Sequence, residues 1–537
     1  MRIGRIVCKN LRAVPDFDLL VREHLVVVGP NASGKTSLLR ALDVMLGGTF
    51  GQLVNSLGRD ALRDPADPLE IEVHFESFTD DDRAAFPDEI NVTGDGEARV
   101  EGLTLALTVA FDGDDPDVVR VFRKSAEDRR VRAEHLAAIG WGFLPATRSP
   151  ERELGAGRRS ALGLLVASID LGATEAELKG LIAEANTVLD GTESVVALRE
   201  RLATELTGVL PRRVAAGDLS IQVSTATDDD PIGQAQVLLN DHTGEPQPLH
   251  RQSDGLRALS TIVVQRLATP AAILGVDEPE IHLHPRSQAR LGKLLATGAG
   301  QRIVATHASA VLSAFEPVDV VALVGASVRQ LRPMKVAANP KFFARWWDDA
   351  ALEPLTSRTV ALVEGPSDRV LLRRVATLLN HDLDRLDCSV VLAHGAPGFA
   401  PLIKLYGAEG FELDVLGLVD ADQVAKVAKE LDVEADAAAL RAAGWEVSDP
   451  DLEGECVAGL GVQRHCELIV RSGYYNEPQI LGSLHAATVD DIDPLGFAEW
   501  CRHDKVLHAV ALASAMETAD ARAIASLVSL LDTIANQ

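Results

Sequence analysis

The chain has 537 residues, 47% of them apolar and 24% charged, with a formal charge of −27. That length gives room for about two to four domains, and the composition is ordinary for a soluble globular protein. The acidic balance argues against indiscriminate DNA binding over the whole surface, but leaves room for a local basic groove or for carboxylate metal sites.

No run of eighteen apolar residues occurs, and Met1-Arg2-Ile3-Gly4-Arg5 lacks the apolar core of a signal peptide, so a cytoplasmic protein with no membrane association is expected. Cys8, Cys388, Cys456, Cys466 and Cys501 are scattered without ligand spacing and read as reduced core thiols.

In chain order, Ile3 to Val14 alternates as a strand, and Leu25-Val26-Val27-Val28 is a buried strand. It runs into Gly29-Pro30-Asn31-Ala32-Ser33-Gly34-Lys35-Thr36, followed by the helical pattern Ser37 to Leu42. A G-x-x-x-x-G-K-T segment between strand and helix is a phosphate-binding P-loop. Its glycines let backbone N–H groups curl around phosphates, and the helix N-terminus adds partial positive charge. Lys35 is expected to reach the β- and γ-phosphates and Thr36 to ligate Mg²⁺, so the chain binds a nucleoside triphosphate such as ATP. Asn31, Gly34, Lys35, Thr36 and Ser37 form the expected nucleotide-contacting set.

Pro68 to Phe78 and Ala98 to Phe111 are strand-like, and the acidic stretch Asp112 to Asp117 reads as a turn. Trp141 to Leu144 is a strand ending in a turn with Arg148 at its tip, while Arg12 is either solvated or near the nucleotide. From Glu151 to about Leu210 apolar residues recur at helical spacing, as at Val195, Leu198, Leu202 and Leu206. This insertion of two or three helices either packs back or pairs with a second copy, and pairing is slightly favoured. Strands return from Leu219 to Leu239, then a hairpin-like Asp241 to Glu245. Ser253-Asp254-Gly255 sits on a loop before the helix Ala258 to Leu267. Ala271 to Val276 is an apolar strand ending in Asp277-Glu278, and Ile303 to Thr306 is one ending in His307.

Each acid or histidine alone is common, but their order after a P-loop is informative. Asp277 at a buried strand end suits the Mg²⁺ shell, Glu278 suits polarising a water, and His307 suits contact with the γ-phosphate. These motifs resemble the ABC-type ATPases of the SMC and Rad50-like branch. The resemblance implies that Ser253 and Gly255 form a signature loop acting across a dimer, with Lys35, Thr36, Asp277, Glu278 and His307 in cis. The signature here reads S-D-G rather than S-G-G, and no Q-loop glutamine is placed.

After Pro354 the texture changes. Val360 to Val363 is a strand ending in Glu364-Gly365, and Asp368 opens the helix Arg369 to Leu379. Asp414 to Val419 is a strand ending in Asp420-Ala421-Asp422. Carboxylates at the carboxyl ends of neighbouring parallel strands converge, and hard oxygen donors suit Mg²⁺ or Mn²⁺. Arg369, Arg373 and Arg374 are either a polar helix face or contacts to a DNA backbone.

This second pattern resembles a Toprim domain, and the two together resemble the OLD-family nucleases, which include the Gabija-type subunit. Further matches are Leu144 to Arg148 and Glu278-Pro-Glu-Ile-His-Leu-His-Pro285. The resemblance implies metal-dependent DNA cleavage with two divalent ions. Glu364, Asp420 and Asp422 would be primary ligands, Asp368 would support them, the run Asp451-Leu452-Glu453-Gly454-Glu455 would form a second acidic cluster with Glu453 and Glu455 as its ligands, and Lys505 would lie near the scissile phosphate. Glu453 and Glu455 are as readily solvated loop acids, and Lys505 an exposed lysine. The only tyrosines are Tyr406, Tyr474 and Tyr475 and no DNA-gate domain accompanies them, which disfavours strand passage.

The expected architecture is α/β: an ABC ATPase at 1–150 and 213–350, a helical insertion at 151–212, and a Toprim-like Rossmannoid domain at 355–537. The expected function is an ATP-binding DNA endonuclease in phage defence or repair, homo-oligomeric through the ATPase and the insertion. The alternatives are an ATP-gated DNA clamp without nuclease activity, or a sensor subunit that needs a helicase-like partner.

Overall fold

A computed structural model describes the chain except residues 94–99, 114, 125–126, 147–153, 155–159, 168–190, 224–234, 241–245, 269–271, 325–326, 332–346, 348–351 and 537. The expected hairpin Asp241 to Glu245, the turn residue Arg148 and much of the helical insertion therefore lie outside the described residues. The chain divides into two compact units, Met1–Val328 and Arg329–Gln537.

In the first unit the apolar runs form a parallel sheet, because strands covered on both faces need no polar alternation. Val320–Val324, Leu25–Val28, Gln301–Ala305, Ile273–Asp277 and Trp141–Leu144 lie side by side in that order. All four residues of Leu25–Val28 are fully buried. The register sets Ala305 beside Val27 and Asp277 beside Ala305, so the P-loop, Asp277-Glu278 and His307 all leave the sheet at its carboxyl edge.

A second, antiparallel sheet contains Phe17–Leu20, Arg2–Lys9, Leu69–Glu76, Val100–Asp112, Asp115–Arg123 and Arg129–Arg130 in order, with Asn91–Thr93 paired to Val100–Asp112. Leu69–Glu76 alternates buried and half-buried residues, as a sheet with one face on the core requires. Two expectations are revised here. The first strand ends at Lys9, because Asn10 turns at φ +60° and its side-chain amide donates to the Asp64 and Asp67 carbonyls. The acidic turn at 112–117 is narrower than expected: Asp115–Arg123 is itself a strand paired to Val100–Asp112, with Val118 and Phe122 turned inward.

Of the helical insertion, Ala161–Ala167 and Glu193–Val209 are helices, and Val195, Leu198, Leu202 and Leu206 are buried as their spacing predicts. The helix after the expected signature loop starts four residues earlier than expected, spanning Asp254–Ala268, so Gly255 lies in its first turn.

The second unit has a four-stranded parallel sheet in the order Cys388–Leu392, Thr359–Val363, Asp414–Asp420, Trp445–Ser448. Gly417 is required there, since a Cβ would lie 2.3 Å from the Trp445 ring, which crosses the strand and donates its indole N–H to the Val415 carbonyl. Helix Pro366–Leu378 packs Leu371, Leu372 and Val375 into one core with Leu512 and Met516 of the carboxy-terminal helices. The helices from Leu452 to Ala535 are a layer that the motifs alone did not specify, with its own cluster of Val462, Ile469, Ile480 and Phe497.

Candidate functional site

The first centre is built at the carboxyl edge of the large parallel sheet. Gly34 caps helix Lys35–Leu46 at φ +91°, and a Cβ there would sit 2.3 Å from the Ala13 carbonyl, so only glycine fits. Lys35 is 4% exposed, and its ammonium donates to the carbonyls of Gly29 (2.9 Å) and Pro30 (2.7 Å) and to Ser33 Oγ (3.3 Å). It curls into the concavity of its own loop, where a phosphate would replace these acceptors. Thr36 Oγ1 donates to Asp277 Oδ1 at 3.1 Å, joining the two residues expected around one Mg²⁺. Asn31 is exposed on the loop and Ser37 half-buried behind it.

Glu278 is held at φ +42°, with its N–H donating to Ala305, and its carboxylate lies 3.4 Å from His307 Nε2. A non-glycine residue in this region stores about 1–3 kcal/mol and is concentrated at functional sites. Burial, then the Lys35 charge, pushes the His307 pKa down against the opposing pull of Glu278. A neutral ring at neutral pH follows, able to accept or donate one hydrogen bond. Glu280, absent from the expected set, accepts the His307 N–H at 2.6 Å and has its pKa raised by burial. Ser253 is exposed and Gly255 half-buried at the start of helix Asp254–Ala268, while Arg257 pairs with Asp254. Arg12 is exposed and donates to the Asp60 carbonyl.

The second centre is an acidic cluster at the carboxyl edge of the four-stranded sheet. Glu364 follows Thr359–Val363, Asp420 ends Asp414–Asp420, and Asp422 sits in the short turn Ala421–Gln423, accepting from Gln423 at 2.8 Å. Asp368 accepts the Gly365 N–H at 2.9 Å from the first turn of its helix. Glu453 lies in the first turn of helix Leu452–Leu460, and its carboxylate meets the Lys505 ammonium at 3.0 Å. Lys505 arrives on helix Lys505–Ala515, whose Ala509 and Leu512 share a core with Leu371 and Leu372 of helix Pro366–Leu378.

The electrostatics tie these groups together. Burial first, then Glu364 and Asp368, pushes the Asp420 carboxyl up to about 7, against the pull of Lys505. Glu364 is raised by burial and by Asp368, Asp422 and Glu453; burial also raises Asp368 and Glu453. Burial disfavours the Lys505 ammonium, but Glu453, then Asp420 and Asp451, outweigh it and raise its pKa. Lys505, expected only from resemblance, is thus placed within the cluster.

Two assignments change. Both oxygens of Glu455 are engaged by Ser526, through its N–H (2.8 Å) and hydroxyl (2.6 Å), so Glu455 caps the last helix instead of facing the other acids. Asp451, passed over in favour of its neighbours, accepts from Arg502 Nε (2.5 Å) and Nη2 (3.0 Å) and from the Gly454 N–H. Burial opposes it, but those bonds hold its carboxyl below the usual range. The Asp451 to Glu455 run signalled an acidic cluster without saying which acid turns where. Of the arginines after Glu364, Arg374 donates to the Met516 carbonyl, Arg373 is exposed and Arg369 half-buried.

Divalent cations fit this donor set in chemistry: the candidate ligands are carboxylate oxygens, raised first by burial, and neighbouring acids add to the shift at Asp420 and Glu364. Among the described residues no three such groups are yet drawn together tightly enough to hold an ion. The fit therefore rests on donor type and charge.

Known proteins resemble this chain over both stretches of sequence. The family model described as AAA domain, putative AbiEii toxin, Type IV TA system matches residues 25–313, just over half of the chain. The model described as Overcoming lysogenization defect protein-like, TOPRIM domain matches residues 355–422. A curated OLD nuclease from Thermus scotoductus is 26% identical over 438 residues, covering 75% of this chain and 79% of that protein. The crystallised C-terminal region of the Xanthomonas campestris pv. campestris OLD protein is 26% identical, covering 34% of this chain and 95% of its own, with a TM-score of 0.28. The Smc head domain bound to the C-terminal domain of ScpA from Pyrococcus furiosus is 15% identical, covering 64% and 99%, with a TM-score of 0.42. No helix among the described residues is long and apolar enough to cross a membrane.

Proposed function

Because the chain belongs to the AAA-domain family that matches residues 25–313, and is an OLD-family protein with a Toprim domain, we propose that it is an ATP-regulated, divalent-metal-dependent DNA endonuclease acting in phage defence or DNA repair. Glu364, Asp420 and Asp422 are the primary ligands, with Asp368 and Glu453 in support. A divalent ion bound there would activate water and stabilise the leaving alkoxide. Lys505 offsets phosphate charge in the transition state, and Asp451, fixed by Arg502, holds the start of the Glu453 helix in place.

At the first centre Lys35 exchanges its loop carbonyls for the β- and γ-phosphate oxygens of ATP. Thr36 and Asp277 hold the Mg²⁺ shell, and Glu278 orients the attacking water while His307 senses the γ-phosphate. The exposed Ser253 and Gly255 complete the site of a second copy, so that ATP closes a homodimer. A cytoplasmic setting accords with the family, and a helicase-like partner would extend the DNA supply.

The observation that carries this reading is the convergence of Glu364 and Asp420 at the carboxyl ends of two neighbouring parallel strands, with the Lys505–Glu453 pair at 3.0 Å. The test is supercoiled plasmid with Mg²⁺ or Mn²⁺, with and without ATP, beside Asp420→Ala and Lys35→Ala. Wild-type nicking or linearisation that Asp420→Ala abolishes is expected. Equal cutting by Asp420→Ala, or no cutting under either metal, would end the nuclease reading and favour an ATP-gated clamp.

A further inference from the structure

The edge of the central sheet opposite the P-loop opens into a cavity of about 700 Å³. Thr204 and Glu205 reach it from helix Glu193–Val209, Arg266 from the last turn of helix Asp254–Ala268, and Arg302 from the start of strand Gln301–Ala305. Arg302 stands one residue before Ile303, which pairs with Leu25, so the cavity lies a strand length, roughly 15 Å, from the nucleotide centre.

Arg302 has no carboxylate partner among the described residues. It is 2% exposed, its guanidinium donates only to the carbonyls of Ala299 and Gln301, and its Nε is buried without an acceptor. Gly298 admits it, since a Cβ there would sit 2.5 Å from Nη2. Arg266 pairs with Glu205 at 2.8 Å; burial first, then the like charge of Arg266, holds the Arg302 pKa down to about 10. Arg201 and Glu200 also line the cavity, so three guanidiniums face two carboxylates and positive charge remains at the wall of a cavity of ligand size. A buried cation is retained only when something compensates it.

We propose that this cavity binds a small phosphate-bearing anion, distinct from the nucleotide at the P-loop, with Arg302 and Arg266 as its donors. Guanidinium is suited to this, because its planar fork meets two phosphate oxygens at once. Leu267 and Leu274 on the same wall accept an apolar or heterocyclic body attached to the phosphate. The position has a regulatory consequence. Arg266 ends the helix whose first turn carries Gly255, so an anion held there steadies the helix that presents the signature to a second copy.

The experiment uses full-length Lys35→Ala protein, to remove the P-loop's contribution, in metal-free buffer with ionic strength matched by chloride. Inorganic phosphate and AMP are titrated separately by calorimetry; the tighter of the two identifies whether the site holds a bare anion or a nucleotide body. Saturable binding is expected, weakened at least tenfold by Arg302→Gln and, independently, by Thr204→Glu. Thr204 is exposed on its helix, so glutamate there preserves the fold while placing a carboxylate at the cavity, and it decides the matter if Arg302→Gln does not fold. Absence of saturable binding by both probes, or binding that survives Thr204→Glu or a folded Arg302→Gln, overturns the proposal.

Discussion

Raising the pH from 6 to 8 should tighten divalent-ion binding at the acidic cluster by about tenfold. The Asp420 carboxyl titrates at about 7 because burial, Glu364 and Asp368 all disfavour its charge. At pH 6 about nine in ten copies carry a proton there, and at pH 8 about one in ten. A protonated carboxyl is not a ligand, so the ion must displace that proton. The competent fraction rises about tenfold across the window, worth about 1.4 kcal/mol. Burial raises Glu364 and Asp368 in the same direction. The assay is calorimetric titration of Mn²⁺ into the Lys35→Ala protein without nucleotide at the two pH values. Repeating it in two buffers of different ionisation enthalpy counts the protons released. Asp420→Asn should bind more weakly and lose most of the slope. A dissociation constant unchanged between pH 6 and 8, or a slope retained in Asp420→Asn, would refute the reasoning.

The same shift fixes the sign of ion-free stability. A carboxyl raised in the folded state above its unfolded value of 3.8 contributes stability below that value, and the contribution is lost as pH rises through about 7. The ion-free protein should therefore melt at lower temperature at pH 8 than at pH 5.5, and Mn²⁺ should narrow the gap. Glu278→Gln should retain ATP binding but lose about 10²–10⁴-fold in hydrolysis, read as phosphate release beside fluorescent-nucleotide titration; unimpaired turnover would remove Glu278 from the water-orienting role. Lys505→Ala should depress DNA cleavage at least tenfold while Mn²⁺ still binds, and a loss of ion binding instead would make Lys505 an organiser of the cluster. Gly34→Ala should destabilise by about 1–3 kcal/mol, because alanine disfavours φ +91° and its Cβ meets the Ala13 carbonyl, and an unchanged melt would contradict that contact.

What the sequence made legible follows from how local each feature is. The P-loop and the strand before it are contiguous, and continuous apolar runs such as Leu25–Val28 declare a doubly covered sheet by themselves. Glu364 and Asp420 were legible because each ends such a run, and parallel strands bring their carboxyl ends together. The fates of Glu453 and Glu455 were not, because two acids two residues apart on one helix face different neighbours. One meets Lys505 and the other Ser526, and both partners arrive from later helices. Asp451 was passed over for the same reason: Arg502, which holds it, is far along the chain and carries no motif. The strand Asp115–Arg123 was hidden by acids at its start, which read as a turn until Val118 and Phe122 are seen to alternate into the core.

The two centres are built by one device but present different groups, a buried ammonium on a glycine loop at the first and a set of carboxylates at the second. Each sits where parallel strands deliver side chains to a carboxyl edge. At the first, Lys35 is buried on the loop's own carbonyls, Asp277 already accepts from Thr36, and Glu278 and Glu280 are engaged with His307. That arrangement favours an anion, because a phosphate needs only to replace neutral acceptors of an ammonium already desolvated. At the second, Glu364, Asp368, Asp420 and Glu453 all have raised carboxyls around a single ammonium, while Arg502 is spent on Asp451. Such a cluster costs the fold stability wherever it is ionised, and that cost is a reason to expect cations as its partner. The first centre should therefore respond to nucleotide and the second to divalent metal, each through the groups it presents, so chelation should lower stability most at alkaline pH, where the second cluster is most ionised.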